Sequence, residues 1–139
     1  MRKDLRPEDL GDLLEQPLVA VLATYRRDGR ALLSPVWHQW RDGGFDIVTS
    51  SDGAKARHLR RDRRAAIVVY EHSFPYRGIE LSGEEDLSTD GVRDAALQIA
   101  RRYLGEQGAA AYAERMRDDV VIRVEPGRIR AWDFADEGG

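Results

Sequence analysis

The architecture of this chain is set by "PLVAVLATYRRDGRALLSPVWHQW", residues 17–40. The segment 17–25 is apolar and β-branched, which is typical of a buried strand. The Asp-Gly pair that follows is the signature of a tight hairpin, so residues 31–40 are predicted to form the partner strand. Pro35 cannot donate an N–H group to a neighbouring strand. We therefore expect it at a sheet edge, at a bulge or beside something other than a strand.

Short strands separated by turn residues continue on both sides of this hairpin. Further strands are predicted at 45–50, 65–71, 79–87 with an interruption at Gly83, 120–126 and 128–134. Helices are predicted at 1–16, 54–62, from the Thr89-Asp90 cap to Leu104 before Gly105, and within 107–119, while 135–139 is expected to fray. The pattern predicts one domain over 1–139, mainly β with helices: a small barrel of about six to seven antiparallel strands.

The composition excludes several classes of site. The chain has 139 residues, a net charge of −3 and no cysteine, so disulfides, thiol nucleophiles and thiolate metal sites are all absent. None of its three histidines has a second histidine at helical spacing, and we expect no metal. The acidic balance argues against general nucleic-acid binding. Without an apolar run of ~18 residues or a signal segment at the start, we expect a cytoplasmic protein that does not bind membranes.

Positive charge is concentrated in "SSDGAKARHLRRDRR", residues 50–64. Lys55 and Arg57 fall in the first turn of the predicted helix, where free N–H groups and the helix dipole favour an anion. Thr49, Ser50 and Ser51 add hydroxyl groups at the preceding strand end. Ammonium and guanidinium groups together suit a phosphate, although no P-loop or dinucleotide motif is present. For the later arginines of the run, a solvated surface face is an equally good interpretation.

Other candidate residues have ordinary structural explanations. Trp37 could be a pocket wall or part of the barrel packing, and "FPYRG", residues 74–78, could contact a ligand, line a dimer seam or be a plain loop. Ser34 lacks a nucleophile-elbow motif, and no residue has the surroundings of a nucleophile. If the protein is an enzyme, a cofactor must carry the chemistry.

The ordered motifs resemble a known superfamily. "LATYRRDGRALLSPVWHQW", "KARHLRRDRRAAIVV", "PYRGIELSGEEDL", "ARRYLG" and "RIRAWDF" are similar to segments of the flavin/deazaflavin oxidoreductases related to pyridoxamine 5′-phosphate oxidase, and in particular of their F420-dependent branch. The similarity covers about residues 18–134. It implies an FMN-binding split β-barrel and a homodimer with the cofactor in a groove between the two barrels.

The resemblance also assigns roles to residues. The segment 55–59 resembles the family's phosphate-gripping motif, with His58 where members commonly carry Asn, and Gly53 lies where some F420 binders add Arg. Residues 34–37 resemble the strand along the ring, and 75–78 with Trp132 resemble elements near the ring from the other subunit. The implied cofactor-binding set is Ser34, Pro35, Val36, Trp37, Thr49, Ser50, Ser51, Lys55, Arg57, Arg60, Tyr76, Arg77 and Trp132. No catalytic residue is assigned.

The function that the resemblance implies is F420-dependent hydride transfer to a small unsaturated or aromatic acceptor. One alternative is an FMN enzyme of the pyridoxamine-phosphate oxidase type, although Arg128 and Arg130 are not accompanied by the histidine expected of that type. Another is a non-catalytic protein that binds a tetrapyrrole or another cofactor. RNA binding through 55–64 would call for aromatic residues among the charges, and the helix 54–62 has none.

Overall fold

A computed structural model describes residues 1–137 of the chain. Two antiparallel sheets pack around one core. The six-stranded sheet has the order β1–β10–β7–β6–β2–β3, and the four-stranded sheet has the order β4–β5–β9–β8. The strands are β1 (Arg2–Lys3), β2 (Ala20–Tyr25), β3 (Ala31–Val36), β4 (Gln39–Arg41), β5 (Gly44–Ser50), β6 (Arg64–Tyr70), β7 (Gly78–Glu84), β8 (Asp86–Ser88), β9 (Asp119–Val124) and β10 (Arg128–Asp133). This arrangement confirms the predicted mainly β, split-barrel class.

The predicted hairpin is confirmed. β2 and β3 pair antiparallel from Ala20 opposite Val36 to Tyr25 opposite Ala31. Pro35 lies on β3, the edge strand of the six-stranded sheet, where its missing N–H costs no sheet hydrogen bond. The prediction of one strand over 31–40 is wrong, because the chain leaves this sheet after Val36 and resumes in the other sheet as β4.

The predicted strand 79–87 also divides between the two sheets. The break lies at Glu85, between β7 and β8, and not at Gly83 as predicted. Gly83 is within β7, and a side chain there would meet the backbone of Gly127 at 3.2 Å. The glycine therefore allows the β9–β10 turn to approach, whereas the change of sheet occurs at the buried Glu85.

The core fills the space between the sheets with side chains that alternate along the strands. β2 and β6 both alternate buried and less buried positions, as expected for strands with one covered face. The largest fully buried apolar side chains are Phe45, Leu10, Leu13, Leu22, Ile47, Leu59, Ile67, Ile79, Leu81 and Ile122. These come from both sheets, from the N-terminal segment and, for Leu59, from the helix Ala54–Arg61, so one core holds the described chain together.

Two helices accompany the sheets. α1 spans Ala54–Arg61, close to the prediction. α2 spans Val92–Glu114 and is interrupted at Gly105, whose φ of 76° and ψ of −178° are not helical. The predicted stop at Gly105 is thus confirmed, although the first part of the helix begins at Val92, after Gly91, and not at the Thr89-Asp90 pair.

The N-terminal helix predicted over 1–16 is wrong. The segment contains β1 and two short 3₁₀ turns, Pro7–Leu10 and Leu13–Glu15, which bury Leu10 and Leu13 in the core. In the tail, Ala135–Glu137 form a turn, and Glu137 accepts a 2.6 Å hydrogen bond from the N-terminal amine. Residues 138–139 lie outside the described part. None of the helices in residues 1–137 combines the length and the apolar character needed to cross a membrane.

Candidate functional site

A cleft of ≈450 Å³ opens beside the edge strand β3 and the start of α1. Eight of its nine lining residues are apolar or aromatic, and Lys55 is the single charged side chain among the described residues that line it. The lining residues are Val19, Pro35, Val36, Trp37, Val48, Lys55, Ala96, Ile99 and Tyr112. Four of the predicted cofactor-binding residues, Pro35, Val36, Trp37 and Lys55, are therefore brought together here.

The indole of Trp37 is held in a fixed orientation. It stacks on the Tyr103 ring, with 4.8 Å between centroids and 6° between planes. The Tyr103 hydroxyl donates to the Leu18 carbonyl (2.8 Å) and accepts the His38 backbone N–H (3.2 Å). Burial raises the pKa of Tyr103, so the phenol stays neutral and keeps both bonds. The stack gives the cleft a rigid, flat aromatic wall.

Lys55 supplies a positive charge where α1 begins. Gly53 precedes the helix, and no side chain caps its first backbone N–H groups. The helix dipole adds partial positive charge at the same end, so the mouth of the cleft near Lys55 favours an anionic group. The apolar walls and this single charged end would suit a flat ring that carries a phosphate.

The structure does not bring Arg57 to this cleft. Arg57 is two positions after Lys55, which corresponds to roughly 200° around a helix at 3.6 residues per turn. Its Nη1 donates to the Asp52 carbonyl at 2.7 Å, and its side chain lines a different depression with Arg26 and Arg61. The predicted pairing of Lys55 with Arg57 around one phosphate is absent from this arrangement of side chains.

Ser50, Ser51 and Arg60, which were predicted to bind the cofactor phosphate, instead form hydrogen bonds within the turn that precedes α1. Arg60 donates to the Ser51 carbonyl (2.6 Å) and to Ser51 Oγ (2.8 Å), and Ser50 Oγ donates to Asp52 at 2.6 Å. Ser51 lines an acidic recess together with Asp52, Thr89, Asp118 and Asp119. Carboxylates at this recess would repel a phosphate, so Ser51 and Arg60 stabilise the turn before α1 and do not line the cleft.

Two further predicted residues do not line the cleft. Ser34 is buried on β3, on the same face of the strand as Val36, but it is not among the residues that line the cleft. Thr49 alternates with the cleft residue Val48 along β5, so its side chain is on the opposite face of that strand. Neither side chain lines the cleft of this chain.

The residues predicted near the substrate are far from the cleft within one chain. Tyr76 lies on the β6–β7 loop and is 48% exposed, and Trp132 lies on β10 under the Arg130 guanidinium (4.6 Å). Strand β10 is four strand positions from β3 in the sheet, about 19 Å at ~4.8 Å per strand. A single chain therefore cannot place these side chains in its own cleft.

Arg77 has a structural role in this chain. Its guanidinium donates to Glu71 Oε1 (2.8 Å), to Asp12 Oδ1 (2.9 Å) and to the Leu10 carbonyl (2.7 Å). The hydrogen bonds from Arg77 lower the pKa of Glu71, which keeps the pair charged. Arg77 thereby ties the N-terminal segment to the β6–β7 loop.

His38 is next to Trp37 in sequence but is part of the core. It is fully buried, and its ring packs edge-on against Phe45 with 5.1 Å between centroids. Burial and the nearby positive charge of Arg102 lower its pKa to about 4. A neutral ring outside the cleft cannot serve as an acid there at neutral pH.

Five cleft residues were not predicted from sequence: Val19, Val48, Ala96, Ile99 and Tyr112. Three of them are on α2, whose apolar face packs over the cleft. The spacing of Ala96, Ile99 and Tyr103 marks that face in the sequence, but the side of the sheets that it covers is a long-range property.

Comparison with known proteins gives the fold a family. The structure resembles conserved hypothetical protein Rv2991 from Mycobacterium tuberculosis, with a TM-score of 0.84, 22% identity and coverage of 97% of this chain and 89% of that chain. It also resembles a protein described as F420 reductase, with a TM-score of 0.73, 29% identity and coverage of 89% and 98%. A third neighbour is HutZ, a heme storage protein from Vibrio cholerae, with a TM-score of 0.71, 15% identity and coverage of 91% and 94%.

No curated protein matches the sequence. The sequence family described as pyridoxamine 5′-phosphate oxidase matches residues 7–133. This range includes all residues that line the cleft and every strand of the two sheets except β1. The match agrees with the family resemblance of the sequence motifs and with the two-sheet fold. The chain belongs to the pyridoxamine 5′-phosphate oxidase family.

Proposed function

We propose that this protein is an oxidoreductase that uses the deazaflavin F420 to transfer a hydride to a small unsaturated or aromatic acceptor. The observation that carries the proposal is the cleft, whose apolar and aromatic walls end at the ammonium group of Lys55. The likeness to a protein described as F420 reductase, at 29% identity over 89% of this chain, supports the choice of cofactor. FMN, which shares a tricyclic ring and a phosphate, is the alternative ligand for the same cleft.

The residues of the cleft fit such a ligand. A volume of ≈450 Å³ is within the range of about 300–1,000 Å³ for small-molecule sites. Lys55 would pair with the phosphate, and Trp37 would lie along the ring. The outer edge of β3 is not paired with another strand in residues 1–137, so its backbone groups can hydrogen-bond to the polar edge of a ring.

The cofactor, when bound, supplies the hydride, and the protein's contribution is to position and shield it. Val19, Val36 and Ile99 present apolar surface that excludes water from the ring. Burial raises the pKa of Tyr112, whose phenol therefore stays protonated beside the cleft. The cleft thus has one neutral hydroxyl group on its wall, that of Tyr112.

The proposed active form is a homodimer. The outward face of the six-stranded sheet carries exposed apolar side chains, including Leu33 (65% exposed) and Tyr70. Leu33 is opposite Ala23, and Ala23 is opposite Ala66, so apolar residues continue across three strands of this face. A second copy would cover this surface and would bring its own Tyr76 and Trp132 to the cleft that lacks them.

The interface can be tested with Leu33→Glu. A carboxylate at the covered face would have to lose water without a partner, so we expect the dimer dissociation constant to rise about tenfold or more. Sedimentation velocity across a concentration series measures the change. Leu104→Glu, at an exposed position of α2, is the matched control and should leave the dimer intact. Unchanged sedimentation of Leu33→Glu would place the interface elsewhere.

The cofactor assignment is tested by titrating the purified protein with F420 and with FMN while ligand fluorescence is followed. We expect tighter binding of F420, and oxidation of reduced F420 by the protein in the presence of an unsaturated acceptor. A strong preference for FMN would move the function to the alternative enzyme. Binding of F420 without turnover of any acceptor tested would support a carrier and contradict the proposed reaction.

A further inference from the structure

A second depression lies between the β2–β3 hairpin turn and the outer face of α1. It has a volume of ≈480 Å³ and is lined by Arg26, Arg27, Asp28, Arg57, His58 and Arg61. We call it the arginine hollow. Four guanidinium groups and one carboxylate surround it, whereas the chain as a whole carries a net charge of −3. Such a local excess of positive charge favours a negative ligand.

None of the four guanidinium groups of the arginine hollow forms an ion pair within residues 1–137, although the nearby carboxylates of Asp28, Asp52 and Asp62 partly offset their charge. Arg57 and Arg61 donate to the backbone carbonyls of Asp52 and Tyr25, which are uncharged acceptors. Asp28, the one acidic residue, is bonded through both carboxylate oxygens to Arg30 (3.0 Å each). Within residues 1–137, the side chains of Arg26 and Arg27 make no hydrogen bond or ion pair with the protein.

His58 lines the arginine hollow and is affected by the positive charges around it. Its Nδ1 is 2.9 Å from the hydroxyl of the buried Thr24, which fixes the ring. Burial lowers the pKa of His58, and the charges of Arg61, Arg26 and Arg57 lower it further. Nε2, the other ring nitrogen, has no hydrogen-bond partner in the described part of the chain, and it would donate to an anion once the ring is protonated.

The geometry points to a second ligand site: the arginine hollow binds a diphosphate group. Several planar guanidinium groups around one space suit the oxygens of two adjacent phosphates, because each guanidinium can donate two parallel hydrogen bonds. The volume exceeds what a single phosphate would fill. The diphosphate could be free or esterified to a nucleoside, since the chemistry that the hollow recognises is the same.

This site is separate from the cleft. The two depressions share no lining residue, and Lys55 and Arg57 are on different faces of α1. The inference therefore does not rest on the proposed function. Loss of one ligand by mutation should leave the other ligand bound, and the two proposals can fail independently.

The test uses the histidine ring signals in NMR spectra of the full chain. Pyrophosphate is titrated at constant ionic strength, and the pH titration of His58 is recorded with and without it. We expect saturating pyrophosphate to raise the pKa of His58 by about one unit, because the anion favours the protonated ring. His72, which is exposed and does not line the hollow, is the internal reference and should not shift.

Variants identify the residues that bind. Arg26→Gln/Arg27→Gln changes two exposed side chains without hydrogen bonds in the described structure, and it should weaken pyrophosphate binding at least about tenfold. Arg93→Gln, an exposed position on α2, is the matched control and should bind as the wild type does. A parallel titration with ADP distinguishes a free diphosphate from one esterified to a nucleoside. Tighter binding of ADP than of pyrophosphate indicates an esterified diphosphate, and equal binding indicates the free group. Equal shifts at His58 and His72, or unchanged binding by the double variant, would overturn the proposal.

Discussion

Replacing Glu85 with Gln is expected to raise the free energy of unfolding by about 3–5 kcal/mol at pH 9, and to change it little near pH 4.5. Glu85 is 2% exposed and lies where the chain passes from β7 to β8. Its backbone N–H donates to the Arg63 carbonyl (2.8 Å), and its Oε2 accepts the Glu125 N–H (3.2 Å). Oε1 is buried and has no hydrogen-bond partner within residues 1–137.

The direction of this effect follows from the proton balance. Burial raises the pKa of Glu85 to about 8, and the nearby carboxylates of Asp86 and Glu125 act in the same direction. Unfolding restores the ordinary value near 4.5. Between these values the folded state binds more protons than the unfolded state, so the free energy of unfolding falls as pH rises. Glutamine does not titrate, and it keeps the size and the neutral state of the protonated acid.

Urea denaturation from pH 4.5 to pH 9 measures the effect for both proteins. Other groups titrate alike in the two chains, so the difference between the curves isolates position 85. Glu84→Gln is the matched control, because it removes the exposed carboxylate next to position 85 and leaves Glu85 in place, so its free energy of unfolding should still fall with pH as Glu85 ionises. Parallel curves for Glu85→Gln and the wild type would show that Glu85 is not buried as a neutral acid.

Glu85 lies at one of the two places where the chain passes from one sheet to the other within a predicted strand, and the sequence did not predict either change of sheet. Alternation and turn residues located nearly every strand, and the hairpin around Asp28-Gly29 was predicted, with a sheet edge as one of three positions expected for Pro35. The same local pattern cannot show that a run such as 31–40 changes sheets midway. Both halves remain extended, and the strands with which they pair are what differ. The family resemblance implied a split barrel. The positions at which the chain passes from one sheet to the other, after Val36 and at Glu85, are known only from the strand pairing of the structure.

The candidate site was predictable in part for a similar reason. Pro35, Val36, Trp37 and Lys55 were found because they are close in sequence or belong to a motif. Arg57 was grouped with Lys55 by proximity along the chain, although the helical repeat already places residues two apart on different faces. Tyr103 and Ile99 required tertiary structure, since nothing local indicates that α2 packs behind Trp37. Tyr76 and Trp132 were assigned to the site by the family resemblance alone, and their contribution from a second copy stays a prediction.

Lys55 lines the cleft whereas Arg57 lines the arginine hollow, and this difference leads to the largest expected effect on cofactor binding. Lys55→Gln should weaken the affinity for F420 about 10- to 100-fold, which corresponds to ~1.4–2.8 kcal/mol for one charge-assisted contact to a phosphate. Lys55 is the single cation on the cleft, so no neighbouring side chain in the described structure can replace it. Arg57→Gln should change the affinity less than about threefold, because its guanidinium faces the arginine hollow.

Fluorescence titration of the two variants and the wild type provides the comparison. Arg27→Gln is the matched control for a lost exposed cation, since Arg27 does not line the cleft and its side chain makes no hydrogen bond within residues 1–137. Raising the salt concentration should weaken wild-type binding and should affect Lys55→Gln less, because the variant has lost the ionic contact. If Arg57→Gln loses as much affinity as Lys55→Gln, both side chains bind the same phosphate, and the side chain of Arg57 must be oriented toward the cleft when the cofactor is bound.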